Sequence, residues 1–330
     1  MKENITVLCQ KFIENGRVIK KVFPMESSLI YPIASNILSA QGETADEAKL
    51  RKCKAIVSRN AGTFSFLNGL VATPFAVNLS MKDDPTAAFD KVVRFYSVTK
   101  KQFGRSDFSA LLAILLSDFV SEENLAHVVG RGKELYGLMK EKHPFLTNGN
   151  DGVLAGFLAL SEKDNAALID DMEKCHELLK NKFSDKDSIQ TVSHILSITD
   201  GSAHEKVEHM MELYDMLKDS GRKFDVNYLA TLAAVSILDT DNEKLRDTVL
   251  EIDSFLATQK GYGFLGSIDK KTRLMHAAML TADLYGTAPN SHTPATVSSL
   301  AMIAAQQAAL CIIIASAVII ASAAVISSTD

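Results

Sequence analysis

A paired helical pattern recurs along this chain, and its spacing limits the folds that the chain can adopt. One copy covers residues 150–183, where Val153 and Phe157 mark a first helix of apolar and small residues. A polar turn, SEKDN, follows, and a second helix then places Leu168 and Met172 on one face with charged residues opposite. One such hairpin cannot bury both of its faces alone, so the pattern predicts that further copies stack beside it.

The copies recur at a regular interval. Matching positions of the first helices are separated by 44, 43, 38, 37 and 45 residues: Leu67, Leu111, Leu154, Val192, Leu229 and Leu274. Matching positions of the second helices are separated by 40, 43, 35 and 42 residues: Tyr96, Tyr136, Leu179, Tyr214 and Leu256. A period of about 35–45 residues is typical of α-hairpin repeats of the armadillo or HEAT size. We therefore predict an all-α fold of stacked α-hairpin repeats, forming an α-solenoid or an α/α toroid, because the period does not fix the curvature.

The same patterns divide the chain into three parts. Residues 1–23 read as an N-terminal cap helix that Pro24 ends, and residues 24–289 as a repeat domain of about six hairpins plus a final helix. Residues 290–330 read as a linker and a C-terminal apolar helix. Pro74 falls inside one predicted first helix, which we expect to be kinked or split there.

Composition excludes several classes of function. The net charge of −5 and the pI near 5.9 argue against a nucleic-acid-binding protein, which would carry a basic patch. The four cysteines are far apart and contain no CxxC pair, so we expect buried thiols of a reducing compartment, with no disulfide and no zinc site. The charged amino terminus is not a secretory signal, so we expect the body of the protein in the cytoplasm.

An acidic residue opens the first helix of five copies: Asp107, Asp151, Asp187, Asp225 and Asp269. An aspartate at a helix N-cap accepts hydrogen bonds from free backbone N–H groups, which explains such regularity. The alternative is a rim of carboxylates around a central mouth, able to supply a paired acid and base. Capping is the interpretation that we favour.

Two histidines occupy equivalent positions in different copies. His194 and His276 each come two residues after the anchor position of a first helix, so both are expected to face the same way. They could act as a base pair or half of a metal site, or they could be hydrogen-bonded core residues. With Asp151 and Asp187 they are the catalytic candidates of this sequence. The sequence contains no GxSxG, HExxH, EF-hand or kinase pattern, so we expect no cofactor or metal and incline towards a non-enzyme.

The densest glycine cluster lies in residues 261–271, GYGFLGSIDKK. Glycines before a helix can cradle a phosphate, and Lys270, Lys271 and Arg273 follow. The loop matches no phosphate-binding motif, however, and a helix C-cap with a tight turn also explains its glycines.

The tail is strongly apolar. Residues 297–326 form a run of thirty without a charge, and the last nineteen of them satisfy the length and polarity of a membrane-spanning helix. Ala301, Ala305 and Ala309 recur at four-residue spacing, which favours self-association of such helices into a homo-oligomer. The alternative is a helix buried in the core of the protein itself.

Two stretches carry a family resemblance: GYGFLG at residues 261–266 followed by TRLMHAAML at 272–280, and IAAQQAA in the tail at residues 303–309. Over nearly its whole length the chain resembles the bacterial family called domain of unknown function 4003. The resemblance implies a bacterial source, and so an inner membrane for the tail, but implies no activity, cofactor or site.

The hypothesis that follows is a non-enzymatic helical-repeat protein, tethered to a membrane through residues 297–326, that binds a protein or peptide. One alternative is an α/α-toroid enzyme whose central cavity uses aspartate and histidine residues. Another is a soluble protein whose apolar tail is buried in its own core.

Overall fold

The computed structural model describes residues 2–59, 65–262 and 266–286. In this part of the chain all regular structure is helical, so the prediction of an all-α repeat fold is confirmed. The α-helices are α1 (Glu3–Val22), α2 (Ile30–Ala40), α3 (Glu47–Arg59), α4 (Ala72–Ser80), α5 (Pro85–Phe103), α6 (Asp107–Phe119), α7 (Glu122–Lys142), α8 (Gly149–Leu158), α9 (Asn165–Leu179), α10 (Lys186–Leu196), α11 (Ala203–Asp219), α12 (Leu229–Ser236), α13 (Asn242–Ala257) and α14 (Lys270–Gly286).

Two kinds of helix alternate from α4 to α14. The even-numbered helices are buried on nearly every side and, apart from α14, are short; in α12 all residues from Leu229 to Ser236 are buried. The odd-numbered helices are amphipathic and longer than the even-numbered ones other than α14; α13 buries Leu245, Val249 and Ile252 and exposes Glu243, Lys244 and Asp247. A helix that is apolar all round needs neighbours on every side, whereas an amphipathic helix can form an outer layer. The alternation is the repeat that the sequence spacing predicts.

The five amphipathic helices from α5 to α13 begin in the same way. Each N-cap side chain accepts a hydrogen bond from a backbone N–H in the first turn, and the capping residues are Asp84, Ser121, Asp164, Ser202 and Asp241. Such caps satisfy donors that the helix itself cannot, so they fix where each helix starts. The sequence analysis did not single out this series.

The acidic series of the apolar helices is only partly a series of caps. Asp225 and Asp269 accept hydrogen bonds from backbone N–H groups two and three residues on, as an N-cap does. In α6 the N-cap is Ser106, so the expectation of a cap at Asp107 is wrong. The two remaining aspartates are also not N-caps, and they are described with the candidate site below.

Pro74 does not kink a continuous helix. A short 3-10 helix, Ser65–Asn68, is followed by a turn, and α4 begins at Ala72. Pro74 thereby lies in the first turn of α4, where its missing N–H has no intrahelical partner to lose. The predicted helix is therefore split, but ahead of the proline and not at it.

The chain forms two compact units. Among the described residues, the first unit contains residues 2–50 and 161–286, and the second contains residues 51–160. In the first unit α1 packs along α2 and also contacts α13 and α14, while α14 contacts α2 and α12. Asn36 of α2 donates a side-chain hydrogen bond to Asp283 of α14, and both side chains are buried. The first and last described helices of the chain therefore share one core.

Polar contacts are prominent in that core. The carboxylate of Asp253 on α13 is fully buried and accepts hydrogen bonds from Arg222 Nε at 2.6 Å and from Arg273 Nε at 2.6 Å. Lys206 of α11, also buried, forms an ion pair with Asp171 of α9. These contacts connect α9, α11, α13 and α14 across the packed helices.

The second unit instead relies on close approach of backbones. A Cβ atom added to Gly132 of α7 would lie 2.8 Å from the Cα atom of Gly156 of α8. A Cβ atom added to Gly156 would lie 2.6 Å from a methyl group of Leu112 of α6. Glycine at both positions lets three helices pack together more closely than larger residues would allow.

The closest helix pairs differ from the predicted hairpins. Four of the five amphipathic helices from α5 to α13 pack most extensively along the apolar helix that follows them, as α5 does with α6, α7 with α8 and α13 with α14, whereas α11 packs most extensively along α9. The sequence pattern instead predicts hairpins of each apolar helix with the amphipathic helix after it. The predicted pairing is therefore wrong by a shift of one helix. The close approach of Gly132 and Gly156 joins α7 to α8, and the ion pair between Asp253 and Arg273 joins α13 to α14.

Two further expectations concern the tail and the cysteines. The described part of the chain contains no helix that is both long and apolar enough to cross a membrane. Residues 297–326, on which the tether was predicted, lie outside the described residues. Cys9, Cys53 and Cys175 are buried, as expected. Burial raises the pKa of both the Cys9 and the Cys175 thiol to about 12, so these thiols stay protonated at neutral pH.

Candidate functional site

A groove of about 1110 Å³ opens on the first unit, between α1, the start of α2 and the segment that follows α13. We call it the cationic groove. Its apolar lining includes Phe12, Ile13, Pro32 and Ile268. The cavity is slightly larger than the ~300–1,000 Å³ typical of ligand pockets and is open to solvent, so it has room for a short peptide segment.

One face of α1 forms a wall of the groove. Ile13, Gly16, Arg17 and Lys20 follow each other at three- and four-residue steps and all line the cavity. Side chains at these spacings share one face of a helix. Gly16 leaves room because it carries no side chain, and a Cβ atom there would already approach Ser35 at 3.8 Å.

Three cations and no carboxylates are found among the lining residues that the structure describes. Arg17 and Lys20 come from α1, and Lys260 comes from the segment after α13. All three are exposed, and none takes part in an ion pair within the described chain. The Lys20 ammonium instead lies 5.7 Å from the ring centroid of Tyr31, a cation–π distance. The groove therefore carries an excess of positive charge on a chain whose net charge is −5.

The hydroxyl groups of the groove differ in their availability. Tyr31 donates its hydroxyl hydrogen to the carbonyl oxygen of Phe23 at 2.6 Å, and Ser35 donates to that of Phe12. Burial raises the pKa of Tyr31, and its bond to Phe23 holds the ring in place. Ser28 and Ser267 also line the groove and have no side-chain hydrogen bond in the described structure. Two hydroxyl groups are therefore available to a ligand, in addition to the three cations.

Tyr262 and His276 pack together at the buried end of the groove. The Tyr262 hydroxyl lies 3.1 Å from Nδ1 of His276, and the two rings meet edge to face. His276 is fully buried, which lowers its pKa to about 3, so the imidazole is neutral at ordinary pH. Burial also raises the pKa of Tyr262. Both groups are uncharged, so they support the groove by packing and hydrogen bonding and add no charge to it.

The predicted catalytic residues do not line this groove. His276 lies behind Tyr262, with the ring of Phe12 at 6.4 Å between centroids. His194 is buried in α10, another helix of the first unit. In the described part of the chain no set of three or more His, Cys, Asp or Glu side chains is grouped so as to hold a metal ion.

The two aspartates among these candidates have unlike environments. Asp151 is buried in the second unit, at the third position of α8, where its side chain accepts the backbone N–H of Asn148 at 2.8 Å. Asn148 and Asp151 form a capping box, so Asp151 belongs to the cap without being the N-cap. Asp187 is exposed in the first turn of α10, whose N-cap is Asp185. The expectation of an N-cap at either aspartate is wrong.

The glycine-rich loop contributes to the groove, but through other cations than expected. Lys271 pairs with Asp225 at 2.6 Å, and Arg273 is held by Asp253. Lys260 precedes Gly261, whose φ of 99° lies in the region that favours glycine and lets the chain turn after α13. Gly263, the other predicted turn glycine, lies outside the described residues.

Sequence reasoning missed Arg17 and Lys20. Their signal was present, since two cations three residues apart flank the apolar stripe of α1. They were not singled out because the tertiary partner of that stripe, the segment around Lys260, is more than two hundred residues away in the chain.

Comparison with known proteins identifies the family. Residues 17–315 match the model of the family described as "Protein of unknown function (DUF4003)". The chain belongs to this family. The resemblance drawn from the sequence is therefore confirmed. All three cations of the groove lie within the matched span, whereas Phe12 and Ile13 precede it.

A curated relative of this DUF4003 chain comes from Bacillus subtilis (strain 168), where it is called "Uncharacterized protein YeaA". The two are 27% identical over 212 residues, which make up 62% of this chain and 63% of the relative. The match thus spans less than two thirds of the relative. No solved structure matches the chain.

Proposed function

We propose that this protein is a non-enzymatic helical-repeat protein that binds an acidic segment of a partner protein in the cationic groove. The observation that carries the proposal is the set of three unpaired cations, Arg17, Lys20 and Lys260, in a groove that no described carboxylate lines. Like charges that face one cavity without counterions repel one another, and an anionic ligand relieves that repulsion.

The apolar part of the groove supports a peptide over an isolated anion. Phe12, Ile13 and Pro32 offer apolar surface beside the cations, so apolar side chains next to an acidic residue would be buried on binding. The cationic side chains would guide the approach of the partner and fix its register. Binding is then expected to weaken as salt rises, because the cations are exposed.

Fluorescence anisotropy with two labelled peptides tests this proposal on the full chain. One peptide alternates pairs of glutamate and leucine, and the other replaces each glutamate with lysine. We expect the acidic peptide to bind and the basic peptide not to bind. The triple variant Arg17→Gln, Lys20→Gln, Lys260→Gln should weaken the acidic complex by about tenfold or more, which corresponds to about 1.4 kcal/mol.

A matched control keeps the change in charge and moves it elsewhere. Lys182, Lys186 and Lys223 are exposed in the same unit and do not line the groove. Their triple substitution by glutamine lowers the net charge equally and should leave the affinity nearly unchanged. Equal losses in the two triple variants, or equal binding of the two peptides, would show that the groove is not the binding site.

The second part of the proposal is that residues 297–326 tether the protein to a membrane. Thirty consecutive residues without a charge support it, since a bilayer-spanning helix needs about twenty apolar residues. The test compares the full chain with a version that ends at Pro289, by fractionation of cells into membrane and soluble parts. We expect only the full chain in the membrane fraction, and recovery of both proteins in the soluble fraction would rule the tether out.

A further inference from the structure

The donors of the cationic groove are more numerous than a single carboxylate requires. A glutamate or aspartate side chain carries one negative charge, and one guanidinium group can satisfy both of its oxygens. The groove offers Arg17, Lys20 and Lys260 together with the hydroxyl groups of Ser28 and Ser267. A single ligand group that engages several of these donors at once needs more charge and more acceptor oxygens than one carboxylate has.

We propose that the groove recognises a phosphorylated serine or threonine side chain within the acidic segment. This inference rests on the proposed function and specifies the ligand of the same site. A phosphomonoester carries about −1.5 to −2 charges at pH 7 and three strong acceptor oxygens. Arg17 supplies a planar fork of donors that fits such oxygens, and Lys20 and Lys260 supply compact charges from two different segments of the chain.

Other hydroxyl groups of the lining are already engaged within the protein. The hydroxyl group of Ser35 donates to a backbone carbonyl of α1, and that of Tyr31 donates to the carbonyl of the residue that follows α1. Thr258 likewise donates its hydroxyl hydrogen to the carbonyl oxygen of Phe255 at 2.7 Å. These bonds leave the cations and the serines Ser28 and Ser267 as the unengaged polar groups, and Phe12, Ile13 and Pro32 beside them accommodate flanking apolar side chains.

The experiment compares three peptides of one acidic sequence that carry serine, glutamate or phosphoserine at the central position. Binding to the full chain is measured by isothermal titration calorimetry. We expect phosphoserine to bind about tenfold or more tightly than serine, with glutamate closer to serine. Inorganic phosphate should displace the phosphopeptide more effectively than sodium chloride of the same ionic strength does.

A conservative variant separates recognition from charge alone. Arg17→Lys keeps the positive charge but removes the guanidinium fork, so it should lower the preference for phosphoserine while affecting the serine peptide less. Arg17→Gln should lower the affinity for both peptides. If the Arg17→Lys variant discriminates as well as the original chain, Arg17 contributes charge only and the proposed recognition by its fork is wrong.

The remaining outcomes separate this inference from the function on which it rests. If serine and phosphoserine peptides bind equally, the phosphoryl site is wrong and the acidic-segment site stands. If neither binds, both proposals fail. If soluble dihexanoyl phosphatidylserine displaces a fluorescently labelled phosphopeptide as well as an excess of unlabelled phosphopeptide does, the ligand is a lipid headgroup and the inference of a phosphopeptide is overturned.

Discussion

In the first unit charged side chains are buried between helices, whereas in the second unit glycines and apolar side chains make the corresponding contacts. Among the described residues, the buried charged side chains of the first unit are Lys206, Asp253, Arg273 and Asp283, and that of the second is Asp151 in its capping box. Buried ion pairs fix which helices meet but cost desolvation, while close glycine contacts are unfavourable only when a side chain is added.

This difference has a consequence for where a binding site can form. The cationic groove lies in the first unit, where Arg222 and Arg273 both pair with the buried carboxylate of Asp253. Arg17, Lys20 and Lys260 have no such partner in the described structure. The same unit thus contains cations that stabilise the fold and cations that are free to bind, and the presence or absence of a buried carboxylate distinguishes them.

The largest expected effect tests the buried charge of the first unit. Asp253→Asn leaves Arg273 without a full counter-charge in a site where its side chain is only 9% exposed. We expect the free energy of unfolding to fall by about 3 kcal/mol, because breaking a buried pair leaves an uncompensated charge. Urea unfolding followed by circular dichroism measures the change.

The control for that variant uses the same helix and the same substitution. Asp247 of α13 pairs with Arg246 at 2.7 Å, but its side chain is 67% exposed. Exposed pairs contribute little, so Asp247→Asn should change the free energy of unfolding by less than about 1 kcal/mol. Equal losses in the two variants would mean that Asp253 is no more important than a surface ion pair.

The second unit is tested by adding a single methyl group. Gly132→Ala places a Cβ atom 2.8 Å from the backbone of Gly156, and the backbone of α8 cannot move away as a flexible side chain could. We expect a loss of about 1–3 kcal/mol in the free energy of unfolding, typical of overpacking. The measurement is again urea unfolding.

Gly137 of the same helix supplies the matched control, because a Cβ atom there would meet no atom within 4 Å. Alanine is a better helix former than glycine by up to about 1 kcal/mol, so Gly137→Ala should stabilise the protein. We therefore expect Gly132→Ala to lower the free energy of unfolding and Gly137→Ala to raise it. A stabilising Gly132→Ala would show that α7 and α8 are not in close contact.

Much of this architecture could be predicted from the sequence, since helix periodicity is a local property. The alternation of helices and the caps at Asp225 and Asp269 follow from spacing and from chemistry within one turn. The pairing of helices could not be predicted, because it depends on which faces meet. In the sequence Gly132 and Gly156 belong to different helices, and no local pattern connects them. Their contact exists only because the backbones of α7 and α8 pack together.

The candidate site depended even more on tertiary contacts. The glycine-rich loop drew attention to anion binding, but the cations next to it in sequence, Lys271 and Arg273, are paired with Asp225 and Asp253. The unpaired cations Arg17 and Lys20 come from the other end of the chain. Spacing shows which residues share a helix face, and only the packing of α1 beside the segment after α13 shows which cations remain without a partner.

A smaller effect concerns the buried imidazole of the first unit. His276 has its pKa lowered by burial to about 3, whereas a histidine in an unfolded chain has a pKa of about 6.5. Between these values the unfolded state binds the extra proton, so this contribution to stability is present above pH 6.5 and is lost as pH falls. Between pH 7.5 and pH 5.5 the loss should be about 1.4 kcal/mol.

The variant His276→Gln removes that contribution, so its free energy of unfolding should depend less on pH over the same interval. Urea unfolding at several pH values provides the comparison. If the original chain and His276→Gln show the same slope, the imidazole is not buried in a neutral state.

The smallest effect compares the two units at equivalent positions of the repeat. Asp151 and Asp187 each lie near the start of an apolar helix, but Asp151 is buried and bonded to the N–H of Asn148, whereas Asp187 is exposed. Asp151→Ala removes one hydrogen bond of a capping box, and we expect a loss of about 1 kcal/mol in the free energy of unfolding. Asp187→Ala should lower the free energy of unfolding less, since water can solvate the groups around it and Asp185 remains as the N-cap.

Urea unfolding of both variants decides the order. A larger loss for Asp187→Ala would show that the exposed aspartate of the first unit has a structural role that its position in α10 does not explain.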